Sequence, residues 1–181
     1  MAQYRKTPRA SWIPYNEGLY FITICTEGKR HFFGEIHNGQ MNLSQIGLFV
    51  DNELKNPQIH NKHIKIPMYV VMPNHIHAII EVESLDSDYY ENTTALSAEI
   101  RTPNPAQRCN PDVPRHVPTL SRYINMFKGA VSRYAGRNKL VFQWQSRYHD
   151  HLIRGASDGN KIADYIENNI ARWDKDCYND K

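Results

Sequence analysis

The chain has 181 residues, of which 40% are hydrophobic and 23% charged, and its formal net charge is +3. This length supports one domain with its own core, and the composition excludes a disordered chain. No apolar run approaches the roughly 20 residues of a membrane span, and the first residues lack the apolar stretch of a signal peptide. Three scattered cysteines fit a reducing compartment. We therefore expect one cytoplasmic domain over residues 1–181, with no membrane partner.

Apolar periodicity predicts several strands and helices in the first half of the chain. Asn38-Gly39 is typical of a two-residue β-hairpin turn, and Ser44 is a suitable N-terminal cap for a helix. The predicted elements are strands over 19–26, 32–37 and 40–43, a helix over 44–56, and strands over 64–72 and 75–82. Residues 84–118 hold five of the ten prolines and no sustained periodicity, so a flexible insert is expected there.

Order is expected to resume at Thr119, a plausible cap for a helix with an apolar stripe from Leu120 to Tyr134. Residues 141–153 are predicted to be extended, with a strand at 148–153, and a final helix is predicted from about Ser157 or Asp158 to about Trp173. This order fits an α+β fold. We predict a ferredoxin-like antiparallel sheet with helices packed on one face, plus a C-terminal helix that carries Tyr165.

Two histidines, His75 and His77, lie two residues apart on a predicted strand. Residues i and i+2 of a strand project from the same face, so the two imidazoles would lie side by side and could form half of a metal site. The alternative is a pair of partly buried strand histidines. A second His-x-His, His149 and His151, could form a rival metal pair or have a structural or DNA-contacting role.

Positive charge is concentrated between Arg101 and Arg154, where ten Lys/Arg face two acidic residues, while the remainder holds twelve basic and seventeen acidic residues. Aromatic residues alternate with these cations, a combination typical of surfaces that bind single-stranded nucleic acid. The alternative is a solvated basic face whose aromatic residues belong to the core. The candidate DNA-binding residues are Arg122, Lys128, Arg133, Arg137, Arg147 and Arg154.

The final predicted helix brings Tyr165 and Asn169 onto one face, because the two residues are four apart. A tyrosine hydroxyl has an ordinary pKa near 10 and needs activation to act as a nucleophile. The Asn169 oxygen could complete a metal site beside two imidazoles. Taken alone, this spacing is far more often explained by packing or surface roles.

Four segments of the chain carry a family resemblance when they are taken together. They are Phe21-Ile-Thr-Ile-Cys-Thr26, Val70-Val-Met-Pro-Asn-His-Ile-His77, Trp144-Gln-Ser-Arg-Tyr-His-Asp-His-Leu-Ile-Arg154 and Asp164-Tyr-Ile-Glu-Asn-Asn169. In this order they resemble the single-tyrosine HUH transposases of small bacterial insertion sequences, most closely the REP-associated tyrosine transposases. Near members commonly have proline after the final Asn. Here Ile170 follows, which would let the helix continue toward Trp173.

The resemblance implies an enzyme that cleaves and rejoins single-stranded, hairpin-flanked DNA through a 5′-phosphotyrosine. It implies that Tyr165 is the nucleophile and that His75, His77 and Asn169 bind Mg²⁺ or Mn²⁺. The family includes dimers with exchanged helices, so a homodimer is an alternative to a monomer. Two other functions stay open: an inactive or domesticated DNA-hairpin binding protein, and a metal-dependent nuclease that uses water.

Overall fold

The computed structural model describes residues 17–83 and 120–179. The strands are β1 (Gly18–Thr26), β2 (Gly34–His37), β3 (Gln40–Leu43), β4 (Ile64–Val71), β5 (His75–Val82) and β6 (Trp144–Leu152). The helices are α1 (Gln45–Lys55), α2 (Leu120–Arg137) and α3 (Ala156–Glu167), with short 3-10 turns at Glu27–Lys29, Pro57–Ile59 and Trp173–Lys175. Within these residues, no helix is both long and apolar enough to cross a membrane.

The main sheet has four strands in the order β4-β5-β1-β6, and every neighbouring pair is antiparallel. With α1 between β1 and β4 and α2 between β5 and β6, this is the ferredoxin-like βαββαβ arrangement, so the predicted fold class is confirmed. The hairpin β2-β3 forms a separate two-stranded sheet. Its turn has positive φ at Asn38 (51°) and Gly39 (72°), as the Asn-Gly signal predicts.

The two faces of the sheet bury different partners. Tyr20, Ile22 and Ile24 of β1 belong to the core that the sheet shares with α1 and α2. The alternate residues Phe21 and Thr23 face the other side, where α3 packs and the Tyr165 ring contacts Phe21 in an edge-on arrangement. Helices α1 and α2 therefore cover one face, and α3, with the predicted nucleophile, covers the other.

Most predicted boundaries fall within about two residues of the observed ones. The predicted strand over 32–37 begins only at Gly34, and Ser44 caps α1 by accepting a hydrogen bond from the Gly47 amide at 3.1 Å. The predicted insert at 84–118 and the Thr119 cap lie outside the described residues.

The predicted continuation of the last helix to Trp173 is wrong, because α3 ends at Glu167. At this end the Asn168 side-chain amide donates to the Asp164 carbonyl at 2.7 Å, beside the Asn168 backbone amide, which donates to the same oxygen at 3.2 Å. Asparagine side chains that bond to the backbone in this way compete with the helical ladder. The chain then turns through Asn169 toward Trp173 and the C-terminal residues, which brings them back over the sheet.

Gly47 fixes the position of α1 against the segment before β2. A Cβ atom at this position would overlap the Phe33 carbonyl oxygen. We expect Gly47→Ala to lower the free energy of unfolding by about 1–3 kcal/mol, because the helix must shift to relieve the overlap.

The matched control for this substitution is Gly136→Ala near the end of α2, where an added Cβ meets nothing within 4 Å. There the higher helix propensity of alanine should raise stability by up to about 1 kcal/mol. Urea denaturation measures both variants. Equal effects of the two substitutions would show that the close approach at Gly47 does not constrain the fold.

Candidate active site

His75 and His77 lie side by side on the α3 face of β5. In the antiparallel register they pair with Cys25 and Thr23 of β1, and their ring centroids are 4.5 Å apart. Both side chains are deeply buried, with 0% and 1% of the residue surface exposed. The sequence prediction of two imidazoles on one strand face thus agrees with the observed positions.

Neighbouring side chains fix which nitrogen of His75 carries hydrogen. The Asn74 amide nitrogen donates to the carbonyls of Lys29 (3.0 Å) and Tyr178 (2.8 Å), so the amide oxygen faces Nδ1 of His75 at 2.8 Å. Nδ1 must therefore donate to that oxygen, and Nε2 keeps its lone pair. That Nε2 is buried and has no hydrogen-bond partner among residues 17–83 and 120–179.

His77 has a contact at each ring nitrogen. Nδ1 lies 2.9 Å from the Thr23 hydroxyl, and Nε2 lies 3.1 Å from the Tyr165 hydroxyl. Thr23 can accept a hydrogen bond from Nδ1, which would leave the lone pair of Nε2 directed at the tyrosine. This arrangement of a second partner behind each imidazole is typical of metal-binding histidines.

Burial keeps both imidazoles neutral. It lowers the pKa of His75 to about 2, with smaller contributions from His77 and Lys29, and it lowers the pKa of His77 to about 4. Neutral imidazole is the form that binds metal ions, so near pH 7 neither histidine must lose a proton before it can act as a ligand.

Tyr165 comes from α3 of the same chain and is 36% exposed at the edge of the site. Burial and the carboxylate of Asp176 raise the pKa of Tyr165, and the Asn169 amide opposes this in part. The phenol is therefore protonated near pH 7 and needs activation before it can attack phosphorus.

Asn169 lies in the turn after α3 and is 2% exposed. Its side-chain oxygen Oδ1 is buried and accepts no hydrogen bond from the described part of the chain. Two unpartnered buried acceptors, this oxygen and Nε2 of His75, are costly unless a ligand satisfies them. The residues present therefore fit a divalent metal ion.

Asp176 is a residue of this site that the sequence analysis missed. Its side chain is 3% exposed, and its Oδ2 lies 4.0 Å from Nε2 of His75. The potential ligand atoms of His75, His77 and Asp176 all lie within 4.8 Å of one another. Asp176 follows a short 3-10 turn and belongs to no spacing motif, so only the tertiary structure reveals it.

The second His-x-His lies on the exposed edge strand β6. His151 places Nε2 2.9 Å from the Asp158 carboxylate, at the start of α3. Within the described part of the chain, the acidic, histidine and cysteine side chains that are close enough to share a metal ion are His75, His77 and Asp176. Neither His149 nor His151 belongs to this cluster. The contact with Asp158 gives His151 a structural role, and a DNA contact of the second pair stays a prediction.

The candidate DNA-binding residues do not form one surface. Arg122, Arg133 and Arg137 are exposed on α2, on the sheet face opposite the site, and Lys128 donates to the Gln145 carbonyl at 2.7 Å. Two of the candidate arginines lie outside α2. Arg147 is on β6, the strand whose His149 pairs with Thr23 on the site face, and Arg154 lies two residues before α3, the helix that carries Tyr165.

The aromatic residues near these cations lie mainly in the core. Tyr123, Phe127 and Trp144 are buried, and Tyr134 stacks on Phe49 with ring centroids 4.0 Å apart. Of the two interpretations of the basic segment, the structure agrees with core aromatic residues rather than a base-stacking platform at these positions.

Comparison with known proteins places the chain in a family and a fold. It is 31% identical over 175 residues to an uncharacterized protein of Haemophilus influenzae Rd, covering 96% of this chain and 92% of that protein. The chain therefore belongs to the same family as this protein. No known protein-family profile matches it.

Among solved structures, a REP-associated tyrosine transposase bound to a REP hairpin matches with a TM-score of 0.57 and 18% identity. That match covers 96% of this chain and 74% of the transposase. The chain thus has the fold of that transposase, as the resemblance predicts. A transposase candidate from Deinococcus radiodurans R1 matches at a TM-score of 0.39 and 13% identity, over 90% of this chain and 96% of that one.

Proposed function

We propose that the protein is a metal-dependent, single-tyrosine DNA strand transferase that cleaves and rejoins single-stranded DNA through a 5′-phosphotyrosine. The observation that carries the proposal is the 3.1 Å contact between the Tyr165 hydroxyl and Nε2 of His77 in a buried two-histidine site. The transposase fold supports the same conclusion.

His75, His77 and Asn169 are the residues that would hold Mg²⁺ or Mn²⁺. When bound, such an ion would neutralise charge on the scissile phosphate and make phosphorus easier to attack. Nε2 of His77 has one lone pair, which serves either the ion or the tyrosine proton. Occupation of that lone pair would release the Tyr165 hydroxyl toward the substrate.

The chemical step exchanges one phosphodiester for another. The Tyr165 oxygen forms a bond to phosphorus, the bond from phosphorus to the 3′-oxygen breaks, and that oxygen takes up a proton as the phenol loses one. Attack by another strand's 3′-hydroxyl reverses the exchange. No ATP is needed, because the phosphotyrosine conserves the bond.

The protein's own contribution to this step is positioning. Phe21 packs against Tyr165 and Thr23 contacts His77, so residues of the same strand, β1, fix the nucleophile and one metal ligand. Such preorganisation lowers the entropic cost of reaching a reactive geometry. Tyr165 and both histidines meet within one chain, which supports attack by the tyrosine in its own subunit's site.

A short single strand at Tyr165 would run along the site face and is expected to contact Arg147 rather than the arginines of α2. Reversing the charge by Arg147→Glu should reduce the slope of log affinity against log salt by about 0.7 for a ten-nucleotide strand. The measurement is fluorescence anisotropy over a series of salt concentrations.

The matched control for this prediction is Arg133→Glu, an exposed arginine on the opposite layer. Arg133→Glu should leave the salt dependence of short-strand affinity unchanged. It should lower affinity only for a DNA hairpin that extends onto α2. A reduced slope in Arg133→Glu and an unchanged one in Arg147→Glu would place the strand on the helical face instead.

Two alternative functions make different predictions for the same assay, a denaturing gel of protein with end-labelled hairpin DNA and Mn²⁺. A covalent adduct supports the strand transferase. Cleavage without an adduct supports a hydrolytic nuclease, and binding without cleavage supports an inactive DNA-hairpin binding protein.

A further inference from the structure

We propose that Asp176 is a fourth ligand of the metal ion, supplied by the C-terminal turn and not by β5 or the turn after α3, which carry the other ligands. The inference rests on the proposed function for the identity of the site, and it adds a carboxylate to two imidazoles and an amide.

The geometry around Asp176 gives its two oxygens different surroundings. Oδ1 accepts a hydrogen bond from the Tyr178 amide at 2.8 Å, whereas Oδ2 lies 4.0 Å from the unpartnered Nε2 of His75. The lone pair of this Nε2 has no partner in the described residues, and the 4.0 Å separation from the carboxylate oxygen leaves room for an ion between the two atoms. A direct hydrogen bond would be shorter, at about 3 Å.

The turn that carries Asp176 is anchored on both sides of the site. The Tyr178 carbonyl accepts from Asn74, and the Cys177 carbonyl accepts from the Lys29 ammonium at 3.1 Å. Trp173 is buried at 8% exposure, and the Tyr178 ring packs on His75 with centroids 4.5 Å apart. Asn74 thus contacts both His75 and the turn, so the position of the carboxylate and the orientation of the imidazole are coupled.

A carboxylate at this position has a chemical consequence. It reduces the charge of the bound site from +2 to +1, and it adds a hard oxygen ligand of the kind that Mg²⁺ and Mn²⁺ prefer. Without it, the two imidazoles would favour softer borderline ions such as Zn²⁺. Asp176 would therefore contribute to the choice of metal as well as to its affinity.

The test is calorimetric titration of the DNA-free full-length protein with Mn²⁺. Asp176→Asn keeps Oδ1 as the acceptor for the Tyr178 amide and removes the charge. We expect its Mn²⁺ affinity to fall by more than about 100-fold, because losses of about 10- to 100-fold are typical when only an outer partner of a ligand is removed. The matched control is Asp174→Asn, an exposed aspartate two residues earlier in the same turn, which should bind Mn²⁺ as the wild type does.

His77→Ala separates failure of this inference from failure of the proposed function. Loss of Mn²⁺ binding in His77→Ala with full affinity in Asp176→Asn would overturn the role of Asp176 and leave the two-histidine site standing. Absence of Mn²⁺ binding in the wild type, or full affinity in both variants, would overturn the site itself and the inference with it.

Two further variants cover the case in which Asp176→Asn unfolds. Asp176→Glu keeps the carboxylate on a side chain one methylene longer, so it should retain more Mn²⁺ affinity than Asp176→Ala. Equal affinities of Asp176→Glu and Asp176→Ala would contradict a ligand role.

Discussion

Replacing Tyr165 with phenylalanine is expected to abolish the covalent protein–DNA adduct and to leave DNA binding almost unchanged. The substitution removes one oxygen and almost no volume, so the ring should keep its contact with Phe21. Phenylalanine has no atom able to attack phosphorus, and adduct formation should fall by about 10³-fold or more. A denaturing gel with end-labelled DNA hairpins measures the adduct, and anisotropy measures the affinity.

Tyr178→Phe is the matched control for this experiment. Among the described residues, Tyr178 is a second tyrosine beside the histidines, with its ring centroid 4.5 Å from that of His75 and 6.0 Å from that of His77. The adduct should persist in this variant. Loss of the adduct in Tyr178→Phe and its survival in Tyr165→Phe would make Tyr178 the nucleophile.

His77→Ala is expected to abolish cleavage and to weaken Mn²⁺ binding by more than about 100-fold, because it removes a ligand and not only a supporting contact. It also removes the hydrogen-bonding partners of Thr23 and Tyr165 on that side. Cleavage and titration with Mn²⁺ measure the two effects, and circular dichroism checks that the fold survives.

The control for His77→Ala is His149→Ala, an exposed histidine that pairs with Thr23 from the other neighbouring strand. It should cleave DNA and bind Mn²⁺ normally. Normal turnover of His77→Ala at low Mn²⁺ concentration would remove His77 from the metal site.

Local sequence patterns were sufficient to predict much of this fold. The Asn38-Gly39 turn, the Ser44 cap and the alternation around His75 and His77 depend on nearby residues, and all three agree with the structure. Helix α3 packs on the sheet face opposite α1 and α2, and this placement follows from the topology of the chain. The sequence indicated it only because Tyr165 and Asn169 lie on one face of the predicted helix.

The sequence could not reveal contacts between distant segments. Asp176 reaches His75 only because the chain turns at Asn168 and folds back over β5, a path that no periodicity indicates. Lys128 looked like a phosphate contact, yet its ammonium group donates to the Gln145 carbonyl of the neighbouring segment and burial lowers the pKa of Lys128. The tertiary structure is therefore required to decide which cationic residues pack against the protein and which are available at the surface.

The most direct test of the proposed strand transferase is to locate the covalent link by mass spectrometry. The protein would be incubated with Mn²⁺ and single-stranded hairpin DNA from the flanks of its own gene, and then digested with nuclease and trypsin. Cleavage after Lys161 and Arg172 gives a peptide whose one tyrosine is Tyr165. We predict a nucleotide mass on that peptide. A nucleotide on the peptide containing Tyr178, or cleaved DNA with no modified peptide, would contradict the account.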